Sequence, residues 1–123
     1  MTTFFDARET RDPAERERDL LMRLPGLIAA AMKAPGWKRH LAGVDPASIT
    51  SREALAKLPV LRKSELSALE KAEPPFAGLT PEPVSSYARL SMSPGPIFQP
   101  ELPGPDPWRA ALGLFAAGVR KGD

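Results

Sequence analysis

The placement of proline constrains this chain more than any other feature. Fifteen prolines occur in 123 residues, and ten of them lie between Pro74 and Pro107. Each lacks a backbone N–H and holds its φ fixed, so that stretch can be neither a continuous helix nor a central strand. Regular structure is confined to the flanking segments and to the gaps between prolines. One gap accommodates a strand: from Ser86 to Met92, Ala88, Leu90 and Met92 alternate with Tyr87, Arg89 and Ser91. Ser93-Pro94-Gly95-Pro96 then reads as a loop. The strand has no evident partner in the sequence, and an unpaired strand is unstable alone.

Before Pro74 the prolines punctuate helices instead. Asp12-Pro13-Ala14-Glu15 is a start signal, with an N-capping carboxylate, a proline where its missing N–H is harmless, and a glutamate placed as in a capping box. Leu20, Leu21, Leu24, Leu27, Ile28, Ala31 and Met32 follow at spacings of three and four, one apolar stripe of an amphipathic helix. Pro25 predicts a kink, or two shorter helices meeting there, and Pro35-Gly36 an end to the segment. A short helical turn around Trp37 to Leu41 and a turn at Gly43-Val44-Asp45-Pro46 come next. Thr50-Ser51-Arg52-Glu53 opens a short helix that Pro59 closes. Lys63-Ser64-Glu65 begins another, with Leu66 and Leu69 as its buried pair. Asp106-Pro107 repeats the cap-plus-proline start, Trp108, Ala111, Leu112 and Phe115 share one face, and Gly118 ends the helix.

The chain thus reads as mostly α with a short β element. It divides into a helical segment over 1–73, a proline-rich segment with one strand over 74–105, and a helix over 106–123 that leads toward a strand the sequence does not contain. The orphan strand and this exit both point to a sheet completed by another segment.

Charge and composition narrow the function classes. Seventeen basic and fifteen acidic residues give a net charge of +2, interspersed in sign, so no strong field marks a nucleic-acid binder. There are no cysteines, which excludes disulfides and thiolate metal sites. No apolar window is long enough to cross a membrane, and Met1 to Thr10 lacks the apolar stretch of a signal peptide, so a cytoplasmic location is expected. His40, the single histidine, sits beside Lys38 and Arg39 and reads as a surface residue. No catalytic or metal-binding constellation emerges. The loop after the strand is the one place that resembles chemistry: a Gly/Ser/Thr-rich loop there can wrap phosphates with its backbone N–H groups, but each proline removes one such donor. A structural loop is the commoner outcome.

The order of segments carries a resemblance. Leu58-Pro59-Val60-Leu61-Arg62-Lys63-Ser64-Glu65-Leu66, then Pro75-Phe76-Ala77-Gly78-Leu79, then the strand and loop, then a helix ending Ala117-Gly118-Val119-Arg120-Lys121-Gly122-Asp123, resembles the N-terminal region of phenylacetate–coenzyme A ligases of the AMP-forming, adenylate-forming superfamily. The resemblance covers about Phe5 to Asp123. It implies the N-terminal part of a large α/β domain, from a parent that adenylates a carboxylate with ATP and Mg and passes it to coenzyme A.

The resemblance places a phosphate loop at Ser93 to Pro100, where the family pattern reads Ser-Ser-Gly-Thr-Thr-Gly-Lys-Pro. Ser93, Gly95 and Pro100 keep that pattern. Pro94, Pro96, Ile97, Phe98 and Gln99 replace a serine, two threonines, a glycine and the lysine. The loop is degenerate, and no cofactor is expected to bind this chain itself. ATP, Mg and coenzyme A belong to the full-length parent. The expected partner is the remainder of the parent chain, or another protein supplying the missing sheet, with a homodimer of the parent left open. The alternative is a non-catalytic helical interaction or regulatory module descended from that family, docking through Leu20, Leu24, Leu27, Ile28 and Trp108.

Overall fold

The computed structural model describes residues 4–106 and 108–123. Its order is α1 (Pro13–Ala31), α2 (Pro35–His40), α3 (Arg52–Leu55), α4 (Lys63–Ala72), β1 (Arg89–Ser93), β2 (Ile97–Glu101) and α5 (Ala110–Ala116), with 3-10 turns at Ala7–Thr10, Pro46–Ser48 and Val84–Ser86. The chain is mostly helical with one two-stranded sheet.

α1 forms where its cap and stripe predict. The Asp12 carboxylate accepts the N–H groups of Ala14 and Glu15, each at 3.0 Å. The helix does not divide at Pro25 but runs through it as one element. A helix-interior proline costs about 3 kcal/mol. That cost is offset because Leu24, Ile28 and Met32, on both sides of Pro25, reach the same apolar cluster. Pro35 likewise starts α2 rather than ending a segment. The α3 cap is one residue later than the sequence suggests: the Ser51 hydroxyl, not that of Thr50, accepts the Ala54 N–H at 3.2 Å.

The core is a cluster of Ile28 from α1, Leu41 at the end of α2 and Ile49 after the 46–48 turn. Trp37, Val44, Ala54 and Leu58 pack against it. His40 is half-buried rather than on the open surface. Its Nε2 lies 3.1 Å from the Pro59 carbonyl oxygen, a geometry that makes Nε2 the protonated donor and ties α2 to the segment after α3. Its ring also meets Trp37 edge-on, with centroids 5.8 Å apart. The lone histidine holds two elements together.

A second layer is built on α4. Leu66 is half-buried, but Leu69 is exposed and the buried side chain of this helix is Glu70. The expected Leu66–Leu69 pair is therefore corrected: the helix turns the face bearing Glu70 and Ser67 toward the sheet. After α4 the chain doubles back through Phe76 and Ala77, both buried, and the Gly78 carbonyl accepts the Gly36 N–H at 2.7 Å. An Arg39–Glu73 ion pair braces the same junction.

Candidate functional site

The residues assigned to a phosphate loop, Ser93 to Gln99, do not form an open loop. β1 and β2 pair antiparallel, Arg89 opposite Glu101 through Ser93 opposite Ile97. Pro94, Gly95 and Pro96 make the connection, and Ile97, Phe98 and Gln99 are strand residues. Three expectations are corrected here. The strand runs over 89–93, not 86–92, since Val84–Ser86 takes a 3-10 turn. It has a partner within the chain. The proline-rich run after Pro96 contains that partner.

α4 fixes the tip of this hairpin. The Ser67 hydroxyl donates to the Gly95 carbonyl at 2.8 Å, and Glu70 Oε2 accepts the Phe98 N–H at 2.9 Å. The Phe98 N–H therefore points away from β1, and Glu70 closes the outer edge of β2. An unpaired strand edge is a template for unwanted pairing, and a carboxylate on its N–H blunts it. On β1, Leu90 and Met92 share one face and are 57% and 66% exposed. Gln99 Nε2 reaches the Ser93 hydroxyl at 3.4 Å across the pair.

A nucleotide phosphate needs several converging N–H donors and a cation. Pro94 and Pro96 supply no N–H, and that of Phe98 is taken by a carboxylate that would repel an anion. Lys63 and Lys71 line grooves that also contain Glu70 and Phe98. The residues present do not fit a triphosphate. Among the described residues no group of three or more His, Cys, Asp or Glu could hold a metal ion, and no helix is long and apolar enough to cross a membrane.

No residue pattern announces the ionic centre at the base of the hairpin. Glu101 is buried, and its carboxylate accepts the Trp108 indole N–H at 2.5 Å and the Arg89 Nε–H at 2.9 Å. The Trp108 hydrogen bond, seconded by Arg89, holds the Glu101 carboxyl below the ordinary glutamate range although burial acts the other way. Trp108 is thus anchored to the sheet and precedes α5 rather than lying on it. The start expected at Asp106-Pro107 is corrected: α5 begins at Ala110 behind Arg109 in the left-handed region, although the Asp106 carboxylate still reaches the Ala110 and Ala111 N–H groups at 2.7 and 3.1 Å, and Pro107 lies outside the described residues.

Because the folded state lowers the Glu101 pKa, its contribution is complete above the ordinary glutamate value and is lost as pH falls through the lowered one. Glu101→Gln should therefore lower the melting temperature at pH 7. The gap from the unaltered chain should begin to narrow below about pH 4, where the unfolded state takes up the proton, and should close once the folded carboxyl is protonated as well. Melts across pH check this; a gap constant down to pH 2.5 would contradict it.

The arrangement of α1 to α5 around this hairpin is the fold of one part of an adenylate-forming coenzyme A ligase. Solved structures similar to it include two of 2-hydroxyisobutyryl-CoA ligase in the postadenylation state, one with 2-HIB-AMP and the other with R3-HIB-AMP. Each has a TM-score of 0.83 and 28% sequence identity over 99% of this chain. The chain spans 28% and 27% of the length of those ligase chains. No protein-family model matches the sequence, and no curated protein matches it.

Proposed function

We propose that this chain is the N-terminal part of a phenylacetate–coenzyme A ligase-like protein that activates a carboxylic acid with ATP and joins it to coenzyme A. The 123-residue chain carries no activity of its own. The observation that supports this most is the likeness to an acyl-CoA ligase over 99% of the chain at 28% identity. The acid is an arylacetate if the sequence resemblance governs, or a short branched hydroxy acid if the solved neighbour does. ATP, Mg and coenzyme A are held by the rest of the protein, which also packs on the face bearing Leu90 and Met92. A cytoplasmic location goes with this chemistry.

The hairpin supports a finer reading: any phosphate grip lies outside Ser93 to Gln99. Isothermal titration of the chain with Mg-ATP should show no binding at micromolar affinity, and AMP release should require the whole protein carrying this segment. Micromolar binding by the chain alone would defeat the reading. The same loss of phosphate-binding groups favours a second reading, a non-catalytic module descended from the ligases. Absence of AMP release from the whole protein with both classes of acid would select it.

A further inference from the structure

A groove of about 840 Å3 lies between α1 and α3. Its floor is Leu20, Leu21, Leu24, Leu27 and Leu55. α1 commits Leu24, Ile28 and Met32 to the core, which leaves the stripe before them uncovered. Leu20, Leu27 and Leu55 are 54%, 65% and 42% exposed. Single exposed leucines are ordinary, but contiguous ones in a concave site mark an interaction surface.

The form of the groove selects its occupant. Leu20, Leu24 and Leu27 recur at i, i+4 and i+7, a stripe about 10 Å long at 1.5 Å rise per residue. Helical backbone is bonded internally, so α1 and α3 offer no edge on which an extended segment could add as a strand. Side-chain packing of a helix into the groove remains, the mode read as anchors at i, i+3, i+4 and i+7. Arg16, Arg23 and Arg52 rim the site with Glu17 as its one carboxylate. Glu17 pairs with Arg52, and Asp19 with Arg23 at 2.9 Å. The rim stays positive even when Asp19 is counted. In a two-fold contact between copies these arginine rims would face each other, and like charges in apposition oppose association.

We propose that the groove docks an amphipathic helix of a partner protein, with leucine-type anchors on one face and Asp or Glu on its flanks. The proposal stands independently of the ligase reading. It also revises the docking set expected from sequence, because Ile28 belongs to the core and Trp108 to the sheet, while Leu21 and Leu55 join.

The test uses two fluorescein-labelled helical peptides with leucines at i, i+3, i+4 and i+7, one flanked by glutamates and one by lysines. Anisotropy titration should show the glutamate peptide binding at least about tenfold more tightly, a preference that falls as salt rises. Leu20→Ser with Leu27→Ser should abolish binding while circular dichroism shows the helix content unchanged. If that pair destabilises the chain, Arg16→Glu should still weaken the glutamate peptide selectively. No binding, equal binding of both peptides, or indifference to these variants overturns the proposal. So does a dimer in sedimentation that Leu27→Ser dissociates, which would give the groove to a second copy.

Discussion

Gly36→Ala is expected to lower the melting temperature by about 10 °C, from a loss of roughly 2–3 kcal/mol. A Cβ on Gly36 would overlap the Ala77 carbonyl oxygen and stand 2.9 Å from the Gly78 carbonyl carbon. Both are backbone atoms, so no side-chain rotation relieves the overlap. The obstruction sits where α2 meets the turn after α4, at the Gly36 N–H bond to Gly78. Ala77 and Gly78 both hold positive φ, 56° and 62°, and that turn brings the carbonyls so close. Relief requires α2 and the 73–79 turn to part, which strains the Arg39–Glu73 pair and the seat of Phe76 beneath the hairpin.

Gly26→Ala provides the opposite control. Gly26 is inside α1, and a Cβ there meets nothing within 4 Å. Alanine in an open helix interior gains about 0.5–1 kcal/mol over glycine. Thermal melts of the two variants should move in opposite directions. A Gly36→Ala chain that melts with the unaltered one would mean that the two backbones do not approach as described.

The parts of this fold legible in the sequence are those governed by local chemistry. The Asp12 cap, the α1 stripe, the start of α4 at Lys63 and the stop at Gly118 depend on neighbouring residues only. The hairpin was hidden by Pro100, since a proline argues against a strand. Pro100 is two residues from Phe98 and shares its orientation, so the N–H it lacks would have pointed off the sheet, away from β1. The ladder loses nothing. With that position demoted, β1 looked unpartnered and the degenerate loop looked open.

Glu70 was illegible for a different reason. Periodicity assigns burial to Leu66 and Leu69, and only the position of β2 explains why a carboxylate is buried instead. The Phe98 N–H on the strand edge needs an acceptor, and α4 passes where Glu70 can supply it. The ligase likeness was legible in the order of segments, which does not depend on pairing. The chemistry of the loop does depend on pairing: the absent hydroxyls and lysine are visible in the sequence, whereas the carboxylate and hydroxyl that α4 sets against the hairpin come from residues about 28 positions away.

Ile28→Ala is expected to cost about 2–3 kcal/mol, toward the low end of the 2–5 found for truncating large aliphatic side chains in cores. The cost follows from position. Ile28 is the single buried residue of α1 and joins that helix to Leu41 and Ile49, so its truncation loosens three elements together. The cost stays low because this core is thin, with Ile28, Leu41 and Ile49 each still 5–7% exposed. A thin core closes on a small cavity more readily than a deep one. Leu20→Ala should cost under about 0.5 kcal/mol, since its side chain lies in the open groove. Urea unfolding of both variants separates the two cases, with the midpoint shifting for Ile28→Ala at an unchanged m-value. Should Ile28→Ala unfold no earlier than Leu20→Ala, α1 would not be anchored at this cluster. The groove would then lose its fixed wall, because Leu20 and Leu27 are aligned with Leu55 only while Ile28 holds the helix down.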